Sequence, residues 1–270
     1  MPKRIPGSHF ARHLIERRSL ILQLVKRDFQ QRYVGSAAGW LWGLIHPLVL
    51  LGSYVFIFGI CLGTKPGPDE VTQNYPMLLF AGMLPWMLFS ETLLRSSSSI
   101  VEHANLITKT IFPAEIVPVT IFLSSLISHL LAVALFIAVA GLWMRDFSPM
   151  IFLLPVFLLL LGLLAVGLGW IAGALQVYLR DTAQILTVIM TLWFWVTPIL
   201  ITEKQFPVWA RFAIRANPLA YLVRAYRVML LGHRLPSGQD MAATAAFAVG
   251  AFVVGGLFFR YLKRGFADVL

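Results

Sequence analysis

The amino-acid sequence predicts an all-α integral membrane protein with six transmembrane helices. The 270 residues have a mean hydropathy of +0.79 and only 13% are charged, whereas soluble domains carry about 25% charged residues. Several apolar stretches are long enough to form a helix across a bilayer core of about 30 Å, which takes about 20 residues. The net charge of +10 comes from basic residues beside these stretches, which is typical of topology signals and not of nucleic-acid binding. We predict one transmembrane domain over residues 1–270.

An amphipathic helix is predicted at residues 10–32, ahead of the first span. Polar side chains recur at helical spacing on one face and apolar side chains on the other. Such a helix lies in the headgroup plane of a membrane or against a partner, and the alternative is a basic flank that sets topology. The first span is predicted at about 36–62, because residues 33–64 contain no Asp, Glu, Lys or Arg.

Five further apolar spans are predicted at about 75–95, 115–143, 149–178, 183–201 and 240–260. The four serines Ser96–Ser99 are predicted to end the second span in a turn. Segment 206–232 lies before the last span and is apolar, but its four arginines argue against a lipid-exposed helix. We predict instead two short helices broken at Asn217–Pro218, inserted partly into the membrane as a re-entrant hairpin.

Both termini are predicted to be cytoplasmic. With six spans, most of the basic residues fall on the side of the amino terminus, as the positive-inside rule requires. Residues 1–19 contain no apolar core of a signal peptide, so we expect the first span itself to direct insertion.

Ionisable groups within the predicted spans are few. Of the twelve acidic residues only Glu91 lies in a predicted span, one turn before Arg95, and we expect a local ion pair there. His46 and His129 stand alone in apolar runs and are predicted to be packed and hydrogen-bonded. The sequence has no zinc-hydrolase or serine-hydrolase motif and one cysteine. We therefore predict no catalytic residue and no metal site.

Energy for any solute movement has to come from a partner, because the chain has no GxxxxGK(S/T) phosphate-binding loop. Segment 100–112 is the predicted contact with such a partner, since polar side chains line one face of a short helix before Pro113. These side chains are Glu102, His103, Asn105 and Lys109. A plain connecting helix is the alternative.

Three motifs in order along the chain carry a family resemblance. The first is RDFQQRYVGSAAGWLWGLIHPL from Arg27 to Leu48, the second runs from NYPMLLFAGMLPW to NLITKTIFP, and the third is NPLAYL from Asn217. Together they resemble the polysaccharide-export permeases of the ABC transporter superfamily, which include O-antigen, capsule and teichoic-acid exporters. The matches extend over nearly the whole chain and are more specific for this type of permease than for its substrate.

The resemblance implies a homodimer of six-helix subunits in the bacterial inner membrane with two separately encoded ATPase subunits. ATP and Mg²⁺ would bind to those subunits, and this chain would carry no cofactor. Segment 100–110 would be the coupling helix, Arg180 and Asp181 would mark a second cytoplasmic turn near it, and segment 206–232 would enter from outside. The cargo would be a lipid-linked glycan, often carried on a diphosphate.

Candidate substrate contacts follow from the chemistry of such a cargo. Aromatic rings stack on the apolar faces of sugars, and Arg gives bidentate contacts to phosphate. The aromatic candidates are Trp40, Trp42, Tyr54, Trp86, Trp193 and Trp195, and the headgroup candidates are Arg27, Arg32 and Tyr33. The alternatives are helix packing or the membrane interface for the aromatic residues and attraction to anionic lipid for the headgroup candidates.

Other function classes fit the sequence less well. An ABC permease exporting a drug or lipid is the runner-up, and the abundance of aromatic residues argues against it. An ion- or proton-driven transporter is disfavoured by the single intramembrane carboxylate and by the absence of an internal repeat. A membrane-embedded glycan enzyme lacks its paired acids or metal ligands, and six spans make a purely structural anchor improbable.

Overall fold

In a computed structural model of the chain, residues 18–109, 112–145 and 147–269 are described, and every regular element among them is a helix. The predicted all-α class is therefore confirmed. Five helical stretches of the described residues are long and apolar enough to cross a membrane: Gly39–Cys61, Tyr75–Glu102, Ile116–Leu142, Pro149–Tyr178 and Gly238–Gly265.

The α-helices of the described residues are numbered in chain order. They are α1 (Arg18–Gln31), α2 (Trp42–Tyr54), α3 (Tyr75–Glu102), α4 (Ala104–Lys109), α5 (Ile116–Val139), α6 (Leu154–Tyr178), α7 (Thr182–Val196), α8 (Arg211–Arg215), α9 (Pro218–Leu231), α10 (Gly238–Leu262) and α11 (Phe266–Val269). Gly39–Leu41 and Val55–Cys61 extend α2 as 3₁₀ and π turns, Ala140–Met144 continues α5, and Pro149–Leu153 leads into α6.

Helix α3 is the centre of the fold and packs against α5, α6, α7 and α9. Its amino end is fixed by Asn74, whose side chain accepts a hydrogen bond from the Met77 amide at 3.2 Å. The predicted turn at Ser96–Ser99 is wrong, because α3 continues to Glu102. The Ser97 and Ser99 hydroxyls donate to carbonyls one turn back in the same helix, so these polar side chains are satisfied without ending it.

Helices α6 and α10 approach each other through glycines. A methyl group on Gly255 would overlap the Gly167 carbonyl, and one on Gly167 would overlap the Ala251 backbone. Small residues let the backbones of membrane helices come close, and dispersion contacts between those backbones then stabilise the pair. These two glycines therefore set the distance between α6 and α10.

Helix α7 is shorter than the predicted span 183–201, because it ends at Val196. Its 15 residues extend about 22 Å at 1.5 Å per residue, less than the thickness of a bilayer core. Residues Thr197–Leu200, here called the α7 linker, are buried and not helical.

The segment after the α7 linker has the predicted break at Asn217–Pro218. Helix α8 ends at Arg215, and the Asn217 side chain accepts a hydrogen bond from the Leu219 amide at 3.0 Å to cap α9. Twelve of the 14 residues of α9 are buried, which shows that this arginine-containing helix packs inside the protein.

Helix α1 corresponds to residues 18–31 of the predicted amphipathic helix, and residues 10–17 of that prediction lie outside the described residues. Ile21 is its buried residue, and α1 packs against α5. The described part of α1 therefore lies against the helices that cross the membrane.

Candidate functional site

Helix α2 leaves an apolar face unpartnered in the single subunit. Pro47 is the one buried residue of α2, whereas 19 of the 28 residues of α3 are buried. Trp40 and Trp42 are each half exposed. Apolar surface of this extent on a membrane helix faces either lipid or another protein.

The exposed residues of α2 include polar ones. Exposed side chains recur every three or four residues, which is the spacing of one helix face: Trp42, His46, Val49, Ser53 and Phe56. The Ser53 hydroxyl donates to the Val49 carbonyl at 2.8 Å. The prediction that His46 is packed is wrong, since its side chain is exposed.

The end of helix α7 contacts the end of α2 and the turn that follows it. Tyr54 stacks on Phe194 with ring centroids 5.6 Å apart, and Phe58 lies 6.5 Å from Trp195. Met190 is the buried residue of α7. Its exposed residues include Gln184, Thr187, Thr191 and Trp195. The exposed side chains of α2 and α7 are called the α2–α7 face below.

The six predicted aromatic residues fall into two groups. Trp40, Trp42 and Trp195 are exposed, and Tyr54 is half-buried at the junction of α2 and α7. Trp86 is only 9% exposed and packs on Phe89 and Phe194 in the core. Trp193 is half-buried and donates its indole N–H to the Asn217 side chain at 2.9 Å. The structure thus brings four of the six to the α2–α7 face or its edge.

Four charged residues join α1 to α3. Arg32 donates to Glu91, and Arg95 donates to Asp28 at 2.6 Å. Asp28 is also 3.5 Å from Arg32, and Glu91 is 3.9 Å from Arg95. The expected pair of Glu91 with Arg95 is therefore present, but it is secondary to the pair with Arg32. These four residues are called the four-charge cluster.

The electrostatics of this cluster favour the ionised form of Asp28. Burial alone would raise the pKa of the Asp28 carboxyl, but the hydrogen bond from Arg95 and the charges of Arg95 and Arg32 hold that pKa below its usual value. Arg32 donates in addition to the Ser125 hydroxyl at 2.8 Å, and the Tyr33 hydroxyl lies 3.5 Å from that of Ser128. Two of the three predicted headgroup residues therefore hold α1 in place, while Arg27 is exposed.

A cavity of about 290 Å³ opens between α1, the end of α3, α4 and the start of α5. Its lining combines charged and apolar side chains. They are Leu24, Arg27, Asp28, Gln31, Arg32, Arg95, Glu102, His103, Leu106, Phe112, Val117, Thr120 and Ile121. The cavity places the exposed Arg27 beside two of the residues predicted to contact a partner.

The predicted partner-contact residues occupy the same end of the molecule as far as they are described. Glu102 is exposed and accepts a hydrogen bond from Ser98 at 2.6 Å, and the His103 ring lies 2.8 Å from the Ser99 carbonyl. Asn105 is exposed on α4, and the side chain of Lys109 lies outside the described residues. Arg180 and Asp181 are exposed in the turn between α6 and α7.

Two buried polar groups lie outside the predicted substrate and partner contacts. Arg227 on α9 is 5% exposed and donates to the backbone carbonyls of Leu78 and Ile199. His129 is buried as predicted, and its ring lies 3.3 Å from the Tyr226 hydroxyl. The position of Arg227 in an apolar segment indicated that it is buried. Its acceptors could not be predicted, because they are backbone atoms that a residue pattern does not reveal.

Known proteins resemble this chain in sequence over most of their length. The chain is 28% identical over 259 residues to the O-antigen export system permease protein RfbA of Myxococcus xanthus, covering 95% of this chain and 97% of that protein. It is 25% identical to the protein of the same name from Klebsiella pneumoniae, covering 93% and 95%. It is 23% identical to the polysialic acid transport protein KpsM of Escherichia coli, covering 88% and 91%.

A family profile gives the broader assignment. The profile described as ABC-2 type transporter matches residues 19–231, which include every helix from α2 to α9. Because this match covers well over half of the chain, the chain belongs to the ABC-2 type transporter family.

Proposed function

We propose that this chain is the transmembrane subunit of an ATP-driven exporter that moves a lipid-linked polysaccharide outward across a bacterial cytoplasmic membrane. The α2–α7 face is the observation that carries the proposal, because it combines exposed aromatic rings with polar side chains on two helices that contact each other at one end. Membership in the ABC-2 type transporter family and similarity to permeases named for O-antigen export and polysialic acid transport support it. The cargo is of the O-antigen, capsule or teichoic-acid type.

The proposed topology has six membrane segments, of which the short α7 is the fifth in chain order, and both termini are in the cytoplasm. Helices α8 and α9 form a re-entrant hairpin that enters from outside. The burial of α9 supports this arrangement, since a helix with two arginines is tolerated at membrane depth when protein surrounds it.

The proposed assembly is a homodimer with two ATPase subunits that bind ATP and Mg²⁺. A second copy covers part of the α2–α7 face, and the remainder lines the path of the glycan. The end of α3 and helix α4 contact the ATPase through Glu102, His103, Asn105 and Lys109, with Arg180 and Asp181 nearby. The exposure of Glu102 and Asn105 supports this role.

The proposed contact with the diphosphate headgroup centres on Arg27. This side chain is exposed and lines the cavity beside α4, where a guanidinium group can offer two parallel N–H donors to phosphate. Arg32 and Tyr33 act behind it by holding α1 against α3 and α5. Headgroup entry and the ATPase contact therefore share one end of the molecule.

Deletion of the gene tests the function as a whole. We expect lipid-linked glycan to accumulate on the cytoplasmic side and to disappear from the cell surface, because the polymer would have no path outward. Surface staining and extraction of lipid-linked glycan measure the two pools, and a plasmid copy of the gene is the control. Normal surface glycan in the deletion strain would overturn the proposal and favour export of a drug or lipid.

Trp195→Ala is expected to reduce export of the glycan about fivefold, since an aromatic contact contributes roughly 0.5–1.5 kcal/mol beyond its area. Trp195→Phe should retain most of the activity because it keeps a stacking ring. Leu192→Ala is the matched control, as Leu192 is an exposed aliphatic residue of the same helix. Surface glycan per unit of membrane-inserted protein is the measurement. An equal loss in Leu192→Ala would show that apolar area, and not stacking, matters at this face.

Glu102→Lys is expected to lower transport-linked ATP hydrolysis while leaving membrane insertion unchanged, because it reverses an exposed charge at the proposed ATPase contact. Copurification of the ATPase and its activity in proteoliposomes measure the effect. Ser98→Ala is the control, since it removes only the hydrogen bond that Glu102 accepts within the subunit. Unchanged ATPase binding and activity in Glu102→Lys would place the contact elsewhere.

A further inference from the structure

The α7 linker is an irregular segment, and two of its backbone carbonyls accept hydrogen bonds from side chains of other helices. Thr197, Ile199 and Leu200 are at most 6% exposed. A buried backbone outside a helix has no regular hydrogen-bonding partners and must find them elsewhere in the protein. At this position it finds them on α3 and α9.

Three side chains donate to the linker. Arg227 Nη2 donates to the Ile199 carbonyl at 2.7 Å, and the Tyr75 hydroxyl donates to the Leu200 carbonyl at 3.0 Å. The Asn217 side-chain amide donates to the Thr197 hydroxyl at 2.9 Å. The linker is thus held from the first residue of α3, from the cap of α9 and from the middle of α9.

Arg227 is the residue that also joins α9 to α3. Its Nε donates to the Leu78 carbonyl at 3.2 Å, and its guanidinium group lies against Gly82, where a methyl group would come within 3.1 Å of Nη2. Both acceptors are backbone carbonyls of different elements. A planar guanidinium group can serve two such acceptors at once, which a lysine ammonium at the end of a flexible chain does not reproduce.

The linker also carries the aromatic end of α7. Asn217, which binds Thr197, accepts the indole N–H of Trp193 at 2.9 Å. The two residues after Trp193 are Phe194 and Trp195, whose rings pack near Tyr54 and Phe58 of α2. The linker, together with the direct contact of Trp86 with Phe194, therefore determines where the aromatic end of the α2–α7 face lies relative to α3.

We propose that Arg227 is a positioning residue that couples α3 to the α2–α7 face through the α7 linker. Helix α3 is continuous from Tyr75 to Glu102 and is followed directly by α4, so a displacement at the ATPase contact is carried along α3 to Leu78. Arg227 passes that displacement to Ile199 and hence to the aromatic end of α7. This inference rests on the proposed function, because it requires an ATPase that acts on α4.

Arg227→Lys tests the coupling, with Arg224→Lys as the matched control. Arg224 is one turn earlier on α9 and binds Glu203 and Asp240 at 2.5 and 2.7 Å, so Arg224→Lys makes the same substitution on the same helix at acceptors that belong neither to α3 nor to the α7 linker. We expect Arg227→Lys to lower glycan exported per ATP hydrolysed by about tenfold, within the usual range for loss of coupling between linked sites. Arg224→Lys should keep the wild-type ratio. The measurement uses the permease reconstituted with its ATPase subunits.

A labelling experiment measures the same coupling between the ATPase contact and α7 without the glycan. Cys61 is the one cysteine of the chain, so Thr191→Cys in a Cys61→Ser background places a single thiol on the exposed side of α7. We expect ATP to change the rate of maleimide labelling at this position with Arg227 present, and to leave it unchanged in Arg227→Lys. Tyr75→Phe, which removes only the hydroxyl, should weaken the ATP response even if Arg227→Lys fails to insert.

The two readouts separate this inference from the proposed function. Absence of glycan export by the wild-type complex would contradict the proposed function, while an ATP-dependent labelling change that is lost in Arg227→Lys and weakened in Tyr75→Phe would still support the coupling. If Arg227→Lys inserts and ATP changes its labelling rate as much as in the wild type, the coupling is overturned. If Arg227→Lys does not insert, the same result in Tyr75→Phe overturns it.

Discussion

Replacing Glu91 with glutamine is expected to loosen α1 from the rest of the protein and to lower both stability and export. The substitution removes the carboxylate that binds Arg32 and that also lies near Arg95. The Arg32 side chain is only 13% exposed, so its guanidinium group would lose its carboxylate on α3 in a poorly solvated position. We expect a loss of about 1–2 kcal/mol, because Glu91 itself is partly exposed and its charge is screened.

A double-mutant cycle gives this prediction its sharpest form. Glu91→Gln and Arg32→Gln should each lower the midpoint of thermal unfolding in detergent and speed tryptic cleavage at Lys26 and Arg27. The double variant should lose less than the sum of the two, since neither partner is then left without the other. Ser90→Ala is the control, because the Ser90 hydroxyl donates only within α3. Additive losses would show that the two side chains do not act as a pair.

Gly255→Ala is expected to be the most destabilising single methyl addition in α10. Its new methyl group would overlap the Gly167 carbonyl, so α6 and α10 would have to separate along their shared contact. Overpacking of this kind costs about 1–3 kcal/mol, and loss of close backbone approach adds to it in a membrane protein. Thermal unfolding and the yield of monodisperse protein in detergent measure the effect.

Gly250→Ala is the matched control for this prediction. Gly250 lies on the same helix, and no atom lies within 4 Å of a methyl group built there. The same substitution should therefore be neutral or stabilising by up to about 1 kcal/mol through helix propensity. Equal destabilisation by both alanines would show that the α6–α10 contact is not held by glycine.

The sequence predicted those elements of the fold that depend on local signals. Hydropathy located the five long apolar stretches, and the Asn–Pro pair located the break before α9. Ser96–Ser99 were misassigned because serine is common in turns, yet inside α3 serine hydroxyls can bond to carbonyls of their own helix. The end of α7 at Val196 was missed because the residues after it are apolar and stay buried without being helical.

The candidate site was predictable only where it depended on residue type. Exposed tryptophans on α2 and α7 were among the predicted residues, but Trp86 has the same side chain and packs in the core. Arg32 was expected to contact a ligand, whereas it binds Glu91 at a separation of 59 residues. Partners so far apart in sequence are brought together by helix packing. Local patterns in a single sequence do not reveal which helices pack together, so this contact was not predictable.

The buried Arg227 has a consequence for how the protein is made. Its acceptors, Leu78 and Ile199, precede it by 149 and 28 residues, so both leave the ribosome before the arginine does. The charged side chain can therefore dock on carbonyls that are already in the membrane, and it need not cross lipid unpaired. The order of synthesis therefore allows α9 to be inserted after the two segments that accept its hydrogen bonds.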